Sequence, residues 1–114
     1  MIVEHKMSLS YVSAFSAGIL CNILVCLSVW MAFKANSIIS KIVAIIIPIT
    51  AFVVCGFEHS IANMFYGLMA TFTYSFNFDS FIVQNLLPVT FGNLVGGFGI
   101  FIIYYFIAKE KLID

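Results

Sequence analysis

The residues best suited to chemistry in this chain are a carboxylic acid and an imidazole side by side in a long apolar region, Glu58 and His59. Asn63 follows four residues after His59, a spacing that places both side chains on one face of a helix. On such a helix Glu58 points about 100° away and need not share their surroundings. Ionisable groups in a membrane are costly and usually face a cavity or a partner. The stretch therefore indicates a polar site inside an apolar protein.

The chemistry that this site favours is the handling of an anion. A helix that begins near Glu58 has free N–H donors and partial positive charge at its N-terminus. An unwound segment that enters a helix in mid-membrane is the arrangement found at transporter substrate sites. A neutral His59 imidazole can also hand a proton to an anion whose conjugate acid permeates more easily. The plainer alternative, a packing histidine that hydrogen-bonds to a neighbouring helix, stays open.

Other chemistries have little support. The second histidine, His5, lies outside the apolar region, so His59 has no obvious partner for a metal. Cys21, Cys26 and Cys55 lack Cys-x-x-Cys spacing and are interpreted as small packing residues. No His-Glu-x-x-His spacing or second catalytic group accompanies His59, so we expect neither enzyme activity nor a cofactor. A net charge of zero gives no reason to expect a nucleic acid partner.

The composition places these residues in an all-α integral membrane protein. Of 114 residues, 63% are hydrophobic and 9% are charged, against about 25% charged in soluble domains. Stretches without Asp, Glu, Lys or Arg cover residues 7–33, 42–57, 59–78 and 80–108. A helix needs about 20 apolar residues to cross a bilayer. We therefore expect three transmembrane crossings, with the two middle stretches forming one crossing that is broken at Glu58 and His59.

The expected elements form a single membrane segment over residues 1–114. They are helix A at about 10–33, a broken crossing B at about 38–70 with a pore loop at about 48–57, and helix C at about 86–108. Pro48 and Gly56 are the helix breakers in crossing B. Small residues in helix A and the Gly92-x-x-x-Gly96 spacing in helix C favour close packing of helices in lipid.

Lysines determine the expected orientation in the plasma membrane. Lys34 and Lys41 flank the turn between A and B, and Lys109 and Lys111 follow C. Three crossings put both regions on the same side, which the positive-inside rule makes cytoplasmic. The N-terminus, with Lys6, then faces outward.

Three blocks of the chain resemble the formate/nitrite transporter family. Residues 18–31, which begin with GILCN, look like the family's fourth transmembrane helix. Residues 56–65, GFEHSIANMF, resemble its fifth-helix histidine motif. Residues 85–97, NLLPVTFGNLVGG, look like the start of its sixth helix. The blocks run in order and together resemble the second half of this six-helix family.

The resemblance implies half of an aquaporin-like inverted-repeat channel fold, in a pentamer whose protomers each hold a pore. It implies the passage of small monovalent anions, such as formate, nitrite or hydrosulfide, through a histidine-gated pore. The matching first half, with the loop that faces the histidine, is absent from this chain. We therefore expect a half-channel that needs a complementary first half. The alternative is a truncated, non-transporting remnant or an assembly subunit of such a channel.

The resemblance also implies roles for individual residues. The pore and substrate positions are His59, Asn63, Phe52 and Asn93, and the supporting polar network is Glu58, Lys6 and Asn22. His59 matches the central pore histidine and Phe52 a pore-constricting aromatic. Lys6 matches a lysine close to the histidine, and Glu58 the carboxylate paired with that lysine. The plainer alternatives are lipid-facing bulk for Phe52, interhelical bonding for the asparagines and a snorkelling end residue for Lys6.

Overall fold

The computed structural model describes residues 2–110, which form helices joined by short links. The helices are α1 (Ile2–Met7), α2 (Tyr11–Lys34), α3 (Ile38–Val54), α4 (Ser60–Thr73), α5 (Phe78–Phe81) and α6 (Leu87–Glu110). One π-helical turn, Ile82–Leu86, joins α5 to α6. Helix α2 packs along α6 and against α3, whereas α1 and α4 contact each other and the π-helical turn. The described chain is all-helical, as the composition predicted.

Two helical segments are long and apolar enough to cross a bilayer, α2 and the continuous stretch Phe78–Glu110. Helix α3 is also apolar but has 17 residues. At 1.5 Å per residue it is about 26 Å long, somewhat shorter than the roughly 30 Å of a hydrocarbon core. Large apolar side chains are exposed along all three of these segments. Such surfaces suit contact with lipid or with further protein rather than with water.

Glycines bring α2 and α6 into backbone contact. A Cβ atom on Gly92 would collide with the carbonyl oxygen of Phe15, and one on Gly96 with that of Ile19. Across the contact, a Cβ atom on Gly18 would lie 2.8 Å from a backbone carbonyl oxygen of α6. Backbone atoms cannot swing aside as a flexible side chain does. The predicted small-residue spacing therefore does mark a close helix contact.

At Pro48 the broken crossing differs from the expected structure, in which a loop begins at this residue. Helix α3 continues through Pro48 to Val54, so most of the loop expected at residues 48–57 is helical. Proline removes a single helical hydrogen bond. Ending the helix there would free several more backbone groups in a region where water is not available to bond them. The helix therefore continues past Pro48 and lacks only the hydrogen bond that proline cannot donate.

The helix ends instead at Val54, and Gly56, two residues later, has a φ of 66° in the left-handed region. The Gly56 N–H donates to the Val53 carbonyl (3.1 Å), and the Phe57 N–H donates to the Phe52 carbonyl (3.0 Å). This pair of bonds is the Schellman ending, which satisfies the last carbonyls of a helix and favours glycine at the left-handed position. The break between α3 and α4 is thus confined to residues 55–59.

Candidate functional site

His59 lies at the end of this break, as the residue that precedes α4. Its half-buried imidazole stacks on Phe52, with the ring centroids 5.9 Å apart and the planes inclined by 30°. Within residues 2–110 neither ring nitrogen makes a hydrogen bond. The two rings line a cavity of about 470 Å³, which Asn63 also lines. The alternative of a histidine bonded to a neighbouring helix therefore finds no partner in the described chain.

Lys6 and Glu58 form a buried ion pair beside the same cavity. Lys6 Nζ lies 2.8 Å from Glu58 Oε1, and the two side chains are 12% and 3% exposed. Helix α1 carries Lys6 back across the bundle to contact α4, so that residues 52 positions apart meet. The ammonium also lies 5.8 Å from the centroid of the Tyr66 ring. The structure thus contains the lysine–carboxylate pair that the resemblance implied.

The second carboxylate oxygen of Glu58 binds two amides. Glu58 Oε2 accepts from Asn63 Nδ2 at 2.6 Å and from Asn85 Nδ2 at 3.2 Å. On a continuous helix Glu58 would point about 100° from the face of Asn63, and that expected geometry is wrong. Helix α4 begins at Ser60, so Glu58 belongs to the non-helical break and turns back toward the helix.

Asn85 is a functional-site candidate that sequence reasoning missed. It is fully buried on the π-helical turn. Besides Glu58 it contacts Lys6, whose backbone carbonyl accepts from Asn85 Nδ2 at 3.1 Å. A signal was available, because an uncharged amide in a charge-free stretch needs a polar partner when it is buried. The resemblance identifies Asn85 only as the first residue of the block that looks like the start of the sixth helix.

Asn93 ties three segments together. Its Nδ2 donates to the carbonyls of Gly18 (2.8 Å) and Glu58 (3.0 Å), and its Oδ1 accepts from the Ser60 N–H (2.9 Å). Asn22 Nδ2 donates in turn to the Asn93 backbone carbonyl at 2.6 Å. The amide of Asn93 is therefore fully engaged by the protein. Asn93 thus caps α4 and holds the break against α2, and its assignment to the pore and substrate positions stays a prediction.

The N-terminus of α4 adds positive potential beside the histidine. Asn93 occupies the first N–H of the helix, that of Ser60. Within the described residues the next two N–H groups, of Ile61 and Ala62, have no partner outside their own helix. Both residues line a second cavity, of about 420 Å³, together with His59. Free N–H groups and the helix dipole make this end of α4 favourable for an anion.

The described residues at this site include no group of side chains suited to binding a metal ion or to forming a disulfide. Among residues 2–110, no three His, Cys, Asp or Glu side chains are placed to hold a metal ion. The three cysteines are free thiols at separate positions. The polar groups that face or support the cavities are an imidazole, an ammonium–carboxylate pair, amides and a helix N-terminus.

The fold and the site define a helical membrane protein with a polar centre at an interrupted helix, the architecture of membrane channels and transporters. Comparison with protein families gives the same result. The model of the formate/nitrite transporter family matches residues 1–107. The chain belongs to the formate/nitrite transporter family.

The relatives are considerably longer than this chain. The formate channel FocA of Haemophilus influenzae is 40% identical over 113 residues, which cover 82% of this chain and 40% of that protein. A probable formate transporter of Methanothermobacter thermautotrophicus is 48% identical over 90 residues, covering 79% of this chain and 33% of that protein. A solved structure, described as a pentameric formate channel with formate bound, is 41% identical with a TM-score of 0.87. That match covers 95% of this chain and 50% of the other.

Proposed function

We propose that this chain forms the histidine-bearing half of a pore for small monovalent anions of the formate, nitrite and hydrosulfide type. A complementary first half completes the pore, and the completed protomers assemble as a pentamer, as in the solved relative. The chain itself crosses the membrane three times, through α2, the broken α3–α4 unit and α6. It corresponds to one half of an aquaporin-like inverted repeat.

The observation that carries this proposal is the environment of His59. The imidazole has no hydrogen-bond partner within residues 2–110, stacks on Phe52 and borders a cavity. The free N–H groups of α4 lie on the same cavities and provide positive potential, whereas the Lys6–Glu58 pair beside them carries no net charge. An anion attracted there meets an imidazole able to exchange a proton with it. A structural histidine would have its ring nitrogens engaged by the protein.

The need for a second half is supported by the large apolar side chains that are exposed along α2, α3 and α6. The match to half of the solved channel supports the same view, because a first half would cover these surfaces.

Anion flux into proteoliposomes tests the function. The chain is reconstituted alone and together with the first half of a formate channel such as the Haemophilus influenzae protein. We expect formate- and nitrite-driven swelling only for the combination. His59→Ala should abolish most of the flux, whereas Thr73→Ala, an exposed change far from the break, should leave it intact.

Two outcomes would contradict the proposal. Normal flux with His59→Ala in the combination would remove the role of the imidazole. A combination that assembles but passes no anion would favour the non-transporting remnant or assembly subunit.

For the orientation, we propose that the N-terminus faces outward and the C-terminus the cytoplasm. Lys34 ends α2, Lys41 lies in the first turns of α3 and Lys109 lies near the end of α6. Lys111, which also entered the lysine count, lies outside the described residues. Exchange of Lys34 and Lys41 for Glu should invert or scramble the labelling of cysteines placed at the termini. Unchanged labelling would remove the basis of this orientation.

A further inference from the structure

We propose that Asn85 is the positioning residue that fixes the Lys6–Glu58 ion pair at the edge of the 470 Å³ cavity that His59 lines. One amide group contacts both partners of the pair. Asn85 Nδ2 donates to the backbone carbonyl of Lys6 (3.1 Å) and to the carboxylate of Glu58 (3.2 Å). The residue that carries the cation and the residue that carries its counter-ion are thus held by the same nitrogen.

The orientation of this amide is fully determined by its neighbours. Asn85 Oδ1 accepts from Asn63 Nδ2 at 2.7 Å, and both N–H groups of Asn85 face acceptors. A flipped amide would set its oxygen against two acceptor oxygens and its nitrogen against a donor. Asn63 is fixed in the same way, because its Nδ2 lies between the Glu58 carboxylate and Asn85 Oδ1. The amides of Asn63 and Asn85 therefore have one assignment of donors and acceptors, although Asn63 Oδ1 makes no bond within the described residues.

The π-helical turn explains how Asn85 reaches this place. A π-helical turn inserts an extra residue into a helix, and such turns are frequent at functional sites. In a regular α-helix each residue advances by about 100°, so removal of the extra residue would rotate Asn85 away from Glu58. The backbone thus departs from regular helix at the position where the amide is needed. Asn85 is 0% exposed there.

Asn85 also holds α1, the short helix that carries the Lys6 ammonium. Helix α1 has six residues, too few to be stable alone. Its Lys6 is held at the side chain by Glu58 and at the backbone by Asn85. Loss of the amide would leave the ammonium attached through one flexible side chain. The cation would then take several positions relative to the cavity instead of one.

The direct test uses the chain alone in lipid nanodiscs and does not depend on transport. The infrared carboxylate band of Glu58 is isolated as the difference between the wild-type and Glu58→Gln spectra. Asn85→Leu and Asn85→Ser each remove the amide donor, and both should shift and broaden that band. Ser28→Ala, which deletes another buried polar group bonded only to the Val25 carbonyl, is the matched control and should leave it unchanged.

Circular dichroism decides which spectra are compared. Any variant that keeps the wild-type helical signal is informative, and two substitutions of different size guard against a failure to fold. An unchanged Glu58 band in a folded Asn85 variant would overturn the proposal. So would an equal shift in Ser28→Ala, since the change would then be a general response to a lost buried bond.

A second test deepens the proposed function and rests on it. In the combination with a first half, Asn85→Ser should raise the formate concentration for half-maximal flux several-fold, because the Lys6 ammonium would no longer keep one position at the cavity. The maximal flux should fall less. A purely structural role would instead lower the maximal flux with the half-saturation unchanged. If the wild-type combination passes no anion, the proposed function fails, and the infrared test still decides the role of Asn85.

Discussion

Phe52 lies against His59 with its ring centroid 5.9 Å from that of the imidazole, and the contact bridges the break between α3 and α4. Phe52 is in the last turn of α3, and its carbonyl also accepts the Phe57 N–H that closes the helix. The aromatic ring and the end of the helix are thus set by the same residue. This relationship connects the backbone geometry of the break to the surroundings of the imidazole.

Substitution of Phe52 by Leu should therefore change the magnetic environment of His59. A stacked ring shields the protons next to it, so we expect the imidazole proton resonances of the chain in nanodiscs to move downfield. Phe72→Leu is the matched control, because Phe72 is 84% exposed and does not line the cavities at His59. If the His59 resonances move equally in both variants, or in neither, the stacked contact is absent in the membrane.

Removal of one partner of the Lys6–Glu58 pair should destabilise the fold strongly. Glu58→Gln leaves a mostly buried ammonium without its counter-ion, and such losses cost about 3–5 kcal/mol. We expect a fall of this order in the free energy of unfolding, measured by denaturation in mixed micelles. The double variant Lys6→Met with Glu58→Gln should lose clearly less than the sum of the single losses. Strict additivity would mean that the two groups do not interact.

Glycine-to-alanine substitutions along α6 should differ sharply in their effect on stability, although each adds the same methyl group. Gly92→Ala and Gly96→Ala place a methyl group against backbone carbonyls of α2. We expect each to cost about 1–3 kcal/mol of stability, as overpacking usually does. Gly99→Ala meets no atom within 4 Å and should gain up to about 1 kcal/mol, because alanine favours the helix. Equal effects at the three positions would exclude the close contact of α2 with α6.

Trp30 provides a built-in reporter of a complementary half. It is the one tryptophan of the chain, and it lines an apolar cavity of about 610 Å³ between α2 and α6. Its indole N–H is buried without an acceptor in the described residues. When a first half free of tryptophan is added, quenching of Trp30 fluorescence by brominated lipids should fall as protein covers the cavity. Quenching that stays constant in a flux-competent complex would show that lipid still fills it.

The helices could be predicted from the sequence because lipid imposes a simple rule on composition. Charge-free stretches of sufficient length indicated where helical segments lie, and small residues indicated that helices A and C each pack closely against a neighbour, though not that they pack against each other. That α3 continues through Pro48 could not be predicted in this way. Whether a proline ends a helix depends on what the freed backbone groups would face, which is a property of the surroundings and not of the local sequence.

The polar cluster was predictable in its members more than in its geometry. Glu58 was expected to point away from Asn63 because a regular helix was assumed to begin near Glu58. The two non-helical residues Glu58 and His59 redirect the carboxylate, and angular rules do not apply to them. Asn85 depends on a π-helical turn, which is rare and interrupts the regular helical repeat on which angular arguments from the sequence rely.

The bonds made by Asn93 and Asn85 also bear on the biogenesis of the protein. Both residues reach back to Glu58, from 35 and 27 positions further along the chain. Synthesis proceeds from the N-terminus, so α3 and α4 emerge from the ribosome before the amides that complete their junction. Until α6 is inserted, the acid and the start of α4 must be sheltered by the insertion machinery or by water. The interrupted helix is therefore completed late, and a ribosome that stalls before α6 would release a chain whose most polar segment is unprotected.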